Sequence, residues 1–343
     1  MSGNRGKPFI VPVFIPYQGC LHRCVFCEQE KITAEKKKSV NAAHVTDIIE
    51  TAVRSPRFDP QHAEVAFYGG TFTSLELPVI EELLGAVSPF LREGFINGIR
   101  VSTRPDALDH EKLALMKQRE VKTVELGAQS MDDHVLALSK RGHSSQDVAD
   151  GVLHLKKLGF RVGVQLMPGL PGDSRKTFLA TVESIVRLAP DMARLYPAVV
   201  IRGTALARMY EAEEYVPLDL AEAVELCAES CSMLEGAGIP VIRMGLMSSP
   251  SLLKKGVILG GPWHAAFGFL VRCRMYQKTI ASQLPGRGAM KRFKIRVQER
   301  DASLLRGYRN EGIAWISMMT GAEVLGVHGD PSFPPGRIEV FGE

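Results

Sequence analysis

The chain has 343 residues, 45% of them hydrophobic, and a formal net charge of +4, so it can bury a sizeable core and exceeds one average domain. No stretch approaches the roughly 20 apolar residues of a membrane span, and the charge at Arg5 and Lys7 precedes only a short apolar run broken by Pro12 and Pro16, which argues against a signal peptide. Six cysteines, three of them grouped as thiolate ligands would be, argue for a reducing cytoplasm rather than a disulfide framework.

Phe9 to Ile15 reads as a first strand, and it runs into Cys20-Leu-His-Arg-Cys24-Val-Phe-Cys27. Three thiolates in one short loop suit three irons of a 4Fe-4S cluster and leave a fourth iron open for substrate or cofactor. An open position marks a catalytic site rather than a structural one. Zinc and three unrelated cysteines are the competing readings. Structural zinc wants a fourth Cys or His at finger or ribbon spacing, and only His22 is near.

Further strands are expected at 63–68, 98–104, 121–129, 160–167 and 192–197, with helices between them. One helix, 145–158, has Val148, Val152 and Leu155 on one face, Ser144 or Ser145 as N-cap and Gly159 as its stop. Alternating strands and helices imply a parallel sheet. Six βα units fall short of the eight of a closed barrel, so the expected α/β fold is an open (β/α)6 partial TIM barrel. Successive strand side chains point to opposite faces. Val124, Leu126 and Ala128, then Val162, Val164 and Leu166, suit packing under helices; Ser102, Arg104, Glu125, Gln129 and Gln165 then face the lumen. Structural barrel interiors are filled by branched apolar residues, so this lumen either holds a polar ligand or forms a mutually satisfied buried network. Chemistry in βα-barrels sits at the carboxyl ends of the strands, where Tyr68-Gly69-Gly70-Thr71-Phe72 lets a ligand approach the backbone and Met167 to Gly172 makes a rigid turn.

Beyond the barrel, 219–236 is expected as a helix opened by Asp219 and Glu222 in a capping-box-like start. Cys227 and Cys231 lie in its apolar stripe and read as core thiols, as does the isolated Cys273. His264, in the run from Gly260 to Gly268, reads as structural, with proton donation as the alternative. Residues 271–310 hold eleven Lys or Arg against Glu299 and Asp301, a balance of +9 that leaves −5 for the rest of the chain. Such segregation is the footprint of a polyanion partner, or simply a solvated basic face. A strand at 294–297, a turn at Leu305 to Asn310, a helix through Met319 and a strand near 324–327 make this a small basic α+β carboxyl-terminal module. The expected division is a barrel over 1–210, an extension packed on it over 211–285, and the basic module over 286–343.

The cysteine loop after strand one, with Phe26 before its last cysteine, resembles the radical S-adenosylmethionine (radical SAM) superfamily. The resemblance implies a 4Fe-4S cluster on Cys20, Cys24 and Cys27, whose open iron chelates S-adenosylmethionine and whose electron releases a 5′-deoxyadenosyl radical. It implies that Gly69 and Gly70 bind the amino group of that cofactor, and that Phe26, Thr71, Ser102, Arg104, Glu125, Gln129 and Gln165 complete its site. It also implies an electron donor such as flavodoxin or ferredoxin. The phrases Gly69–Phe72, Ser102–Asp106, Val124–Ser130, Arg141–Ser144 and Leu195–Thr204 are similar to the catalytic-subunit family of Elongator over residues 9 to 210, which implies base modification in transfer RNA. Two features depart from that family: the cysteine spacing is the compact superfamily form, and no acetyl-coenzyme A loop follows the matched region. The carboxyl module is similar to a K homology core, with Asn310 in place of the second glycine of its Gly-x-x-Gly loop; this implies RNA binding, with Arg292, Lys294, Arg296, Arg306 and Arg309 as contacts. A radical enzyme acting on a small molecule and a cluster-bearing RNA-binding regulator without turnover are the alternatives.

Overall fold

The computed structural model describes residues 8–20, 22–33 and 40–342, so Arg5, Lys7 and Lys36 to Lys38 lie outside the described residues. Its strands are β1 (Phe9–Phe14), β2 (Ala63–Tyr68), β3 (Gly98–Thr103), β4 (Val121–Gln129), β5 (Arg161–Leu166), β6 (Met192–Leu195), β7 (Val200–Ile201), β8 (Val241–Met244), β9 (Ile258–Gly260), β10 (Arg292–Gln298), β11 (Glu323–Asp330) and β12 (Ile338–Phe341). The chain divides into two units, one of residues 1–218 and 233–263 and the other of 219–232 and 264–343. Both include part of the segment 211–285.

The first unit is an α/β partial barrel. Its parallel sheet runs β1-β2-β3-β4-β5-β6-β8, with the six expected strands within two residues of their predicted bounds. A seventh strand, β8, extends the sheet beyond β6. Its sequence is a short apolar run broken by Arg243, and only Val241 of its four residues is buried. Val124, Leu126, Val162 and Val164 are buried, as parallel strands covered by helices require. The helix Ser145–Lys157 packs there through Val148, Val152 and Leu155 and starts in a capping box of Ser144 with Asp147.

Register aligns the lumen side chains in rows. Ser102 pairs with Glu125, Glu125 with Gly163, and Gln165 with Arg194. A register shift between Leu126 and Gln129 leaves Gln129 at φ 70° and re-aims the carboxyl end of β4. β7 and β9 form a short antiparallel ribbon.

The second unit has a three-stranded sheet in the order β11-β10-β12, with β10 parallel to β11 and antiparallel to β12. Phe293, Ile295 and Val297 fill its core with Ile280, Leu305 and Ile316. Two helices, Ala302–Arg306 and Glu311–Thr320, lie between β10 and β11. They meet at Gly312, where a Cβ would stand 2.0 Å from the Leu305 carbonyl oxygen. Between the helices, Arg309 and Asn310 adopt φ of 50° and 64°. Asn310, at the second glycine position of the expected loop, thus takes the left-handed conformation that Gly and Asn tolerate best. Cys227, Cys231 and Cys273 are buried. His264 accepts at Nδ1 from the Ala266 amide and meets the Tyr308 ring edge-on.

Candidate active site

The three cysteines of the β1 loop are each half-buried, and each thiol meets a polar group from elsewhere in the fold. Cys20 Sγ lies 3.3 Å from Thr71 Oγ1, Gln29 Nε2 donates to Cys27 Sγ at 3.4 Å, and Arg141 Nη1 donates to Cys24 Sγ at 2.9 Å. Arg141 is itself fixed by donating from Nη2 to the Gly127 carbonyl. Gln29 is locked to Tyr17: its amide donates to the Tyr17 hydroxyl at 2.8 Å, and its Oε1 accepts from the Tyr17 amide at 2.6 Å. Phe26 packs beside Val25, Val200 and Leu206 on one side and Val135, Leu170 and Ala198 on the other.

Burial, then the neighbouring Cys24, pushes the Cys27 thiol up to about 12, against the opposing hydrogen bond from Gln29. A coordinated metal deprotonates such a thiol outright. Among the described residues no group of three His, Cys, Asp or Glu side chains stands at single-ion spacing. A cluster would take one thiolate per iron and so would not require the three sulfurs to converge on a single ion. Three thiols in one loop, met by a guanidinium, an amide and a hydroxyl that can offset thiolate charge, fit a cluster.

Gly69 and Gly70 stand at the end of β2. Gly69 has φ 102°, and a Cβ on Gly70 would lie 2.3 Å from the Gln18 carbonyl oxygen and 2.7 Å from that of Ile15. Side chains are therefore excluded beside the cysteine loop, and the Thr71 amide is tied back to Gln18 at 2.8 Å.

The lumen residues divide into two sets. Gln165 Nε2 donates to Gln129 Oε1 at 3.2 Å, and both it and Ser102 remain partly open. Glu125 and Arg104 are instead paired. Arg100 Nη1 and Arg194 Nη2 donate to Glu125 Oε1 at 2.7 and 2.8 Å, with Tyr68 Oη at 3.4 Å. Arg100 also holds Glu64 at 2.5 Å, and Arg194 Nη2 donates to Tyr68 Oη at 2.6 Å. The chain Glu64–Arg100–Glu125–Arg194 thus crosses the lumen from β2 to β6 as one continuous set of ion pairs. Burial, then Glu125, pushes the Tyr68 phenol up to about 12. Arg104 forks onto Asp106 at 2.9 and 2.7 Å. Burial, then Arg141 and Arg104, pushes His143 down to about 4, so it is neutral near pH 7.

Arg141, Gln29, Arg100 and Arg194 were not singled out from sequence. Arg141 lies within the phrase Arg141–Ser144 but reaches Cys24 only through folding across 117 residues. Alternation from Ser102 and Arg104 would have put Arg100 on the same face.

A family model described as the Radical SAM superfamily matches residues 14–185, half of the chain. The chain belongs to the radical SAM superfamily. A second model, the Radical_SAM C-terminal domain, matches residues 190–277 of this radical SAM protein. Its cofactors are those of the superfamily, a 4Fe-4S cluster and S-adenosylmethionine. A tRNA uridine(34) acetyltransferase of Methanocaldococcus infernus is 35% identical over 137 residues, 39% of this chain and 26% of that protein. The heme chaperone HemW of Bacillus subtilis is 25% identical over 193 residues, 55% of this chain and 50% of that one. The chain therefore spans a quarter to a half of these curated relatives. The structure of Methanocaldococcus infernus Elp3 lacking its N-terminus superposes with a TM-score of 0.60 at 24% identity, covering 80% of this chain and 64% of that one; this is a likeness of fold. Among the described residues no helix is long and apolar enough to cross a membrane.

Proposed function

We propose that this radical SAM protein is an enzyme that modifies a base in RNA, transfer RNA foremost, with Cys20, Cys24 and Cys27 as the ligands of its cluster. The observation that carries the RNA reading is the match over 137 residues to a tRNA uridine(34) acetyltransferase at 35% identity; the basic stretch 271–310 supports it. When bound, the cluster and S-adenosylmethionine supply a 5′-deoxyadenosyl radical. Everything else falls to the chain's own residues.

Gly69 and Gly70 leave the backbone open to the amino acid end of the cofactor, with Thr71 braced against Cys20. Arg141 places a cation beside Cys24, where it offsets thiolate charge and suits a carboxylate. Ser102, Gln129 and Gln165 offer neutral hydrogen-bonding groups to the rest of the cofactor, while Phe26 holds the cysteine loop against the barrel wall. Arg104 and Glu125 contribute as parts of ion pairs, which shape the lumen without presenting free charge.

In the carboxyl unit, Phe293, Ile295 and Val297 are buried while Lys294 on the opposite face is exposed, as are Arg306 and Arg309 around the left-handed turn. Arg296 differs, because Asp330 at 3.1 Å and Glu339 at 3.3 Å neutralise it. Lys294, Arg306 and Arg309 therefore carry the phosphate contacts, with Arg292 beside them.

Binding through phosphates weakens with salt, each neutralised phosphate adding about 0.7 to 0.9 to the log–log slope. Replacing Lys294, Arg306 and Arg309 with alanine should lower transfer RNA affinity and flatten the slope by about 2, whereas Arg296→Ala should change it little. Equal affinity and slope in the triple variant and the parent would remove the RNA interface from this unit.

A further inference from the structure

Behind the cysteine loop, the segment after β6 and the strap 246–258 join into one small surface. Its inner side is fastened to the loop. The Leu206 amide donates to the Val25 carbonyl at 2.8 Å, between Cys24 and Cys27. Lys31 Nζ donates to the Arg202 carbonyl, and the Ser249 and Ser251 hydroxyls donate to the Lys31 carbonyl at 2.8 and 2.7 Å. Glu28, the residue after Cys27, comes within 3.7 Å of where a Gly203 Cβ would stand. Ile32 of the loop's short helix packs in the same apolar group as Leu252 and Trp263.

The outer side is of a different character. Arg202, Lys254 and Lys255 are exposed, and Arg202 Nε is tethered to the Gly256 carbonyl at 2.6 Å. Beside them Leu253 leaves 52% of its surface in water. An apolar residue rimmed by cations, on a segment fastened to the short helix that follows Cys27, is ill-suited to a phosphate backbone, which rewards charge and hydrogen-bond donors rather than apolar surface. It suits a protein with an acidic face that must come close to the cysteine loop. Weak electron-transfer encounters bury less than about 1,200 Å², and complementary charge governs their rate of formation and orientation.

We infer that Arg202, Leu253, Lys254 and Lys255 form the docking surface for an acidic one-electron carrier protein that reduces the cluster. The inference rests on the radical SAM chemistry of the proposed function, which consumes one electron per cleavage and needs a reductant outside the chain. At this surface a reduced carrier would pass one electron to the cluster that Cys20, Cys24 and Cys27 would hold, with no bond or proton moved.

The test compares the reconstituted parent with Lys254→Glu/Lys255→Glu and with Leu253→Asp, using flavodoxin as the probe. Oxidised flavodoxin should bind the double variant about tenfold more weakly at low salt, with the difference shrinking as salt rises. Leu253→Asp should weaken binding through loss of the apolar contact and, because it adds one negative charge where the double variant changes four, should alter the salt dependence less than that variant does. Flavodoxin hydroquinone should bleach the cluster absorbance more slowly in both variants, while reduction by dithionite and affinity for transfer RNA stay at parental values. Unchanged flavodoxin affinity in both variants would overturn the inference, and so would a loss of transfer RNA affinity in its place, which would assign the surface to RNA. Because binding is read with oxidised carrier, it reports on the surface independently of turnover. Failure of dithionite to support cleavage of S-adenosylmethionine in the parent would count against the proposed function alone.

Discussion

Replacing Cys20, Cys24 or Cys27 with alanine should drop the iron content of the anaerobically reconstituted protein from about four per chain to near zero, with loss of the cluster's visible absorbance. Each is one of three thiolates in a single loop, and with one open iron already there is no spare ligand to take over. Alanine at Cys227, Cys231 or Cys273 should leave iron content at the parental level, because all three are buried as core thiols in the other unit. Iron and sulfide analysis reads both outcomes. A cluster that survives loss of Cys24, or one that needs Cys227 or Cys231, would contradict the assignment. A preparation that takes up one zinc per chain and no iron would revive the structural-metal reading.

The second large effect belongs to the lumen. Glu125→Ala should lower stability by about 3–5 kcal/mol, since it leaves two buried guanidiniums facing an empty position. Arg100 keeps Glu64 as a partner, but Arg194 retains only the Tyr68 and Tyr196 hydroxyls. Urea unfolding of the reconstituted protein measures the loss, and Glu125→Gln, which keeps the shape and one acceptor oxygen, should recover part of it. A loss below about 1 kcal/mol, the scale of an exposed pair, together with weaker binding of S-adenosylmethionine would return Glu125 to the role of direct cofactor ligand.

Cys20, Cys24 and Cys27 could be proposed as ligands from sequence alone because the pattern that links them lies in spacing along one loop. β2 and β4 were legible to the residue because their alternation carries polar side chains to one face. That alternation correctly grouped Glu125 with Ser102, yet it could not choose between a cofactor ligand and a satisfied network, because Glu64, Arg100 and Arg194 come from three different strands. Arg141 was hidden for the same reason, since its contact with Cys24 is made only by the closed fold. β8 was hidden because its run is only four residues long, follows Pro240 and is broken by Arg243. In the carboxyl unit the basic charge was legible, but the pairing of Arg296 with Asp330 and Glu339 required the strand register that sets β10 between β11 and β12.

The central claim is that radical chemistry at the cysteine loop is directed at a base in RNA. Mass spectrometry of nucleosides tests it most directly, comparing total transfer RNA from cells with and without the gene. Adding reconstituted enzyme, S-adenosylmethionine and a reductant to the RNA from deficient cells completes the comparison. The account predicts that one modified nucleoside disappears on deletion and that the added enzyme converts its precursor in step with formation of 5′-deoxyadenosine. Identical nucleoside profiles in the two RNA pools, with 5′-deoxyadenosine formed at the same rate whether or not RNA is present, would contradict it.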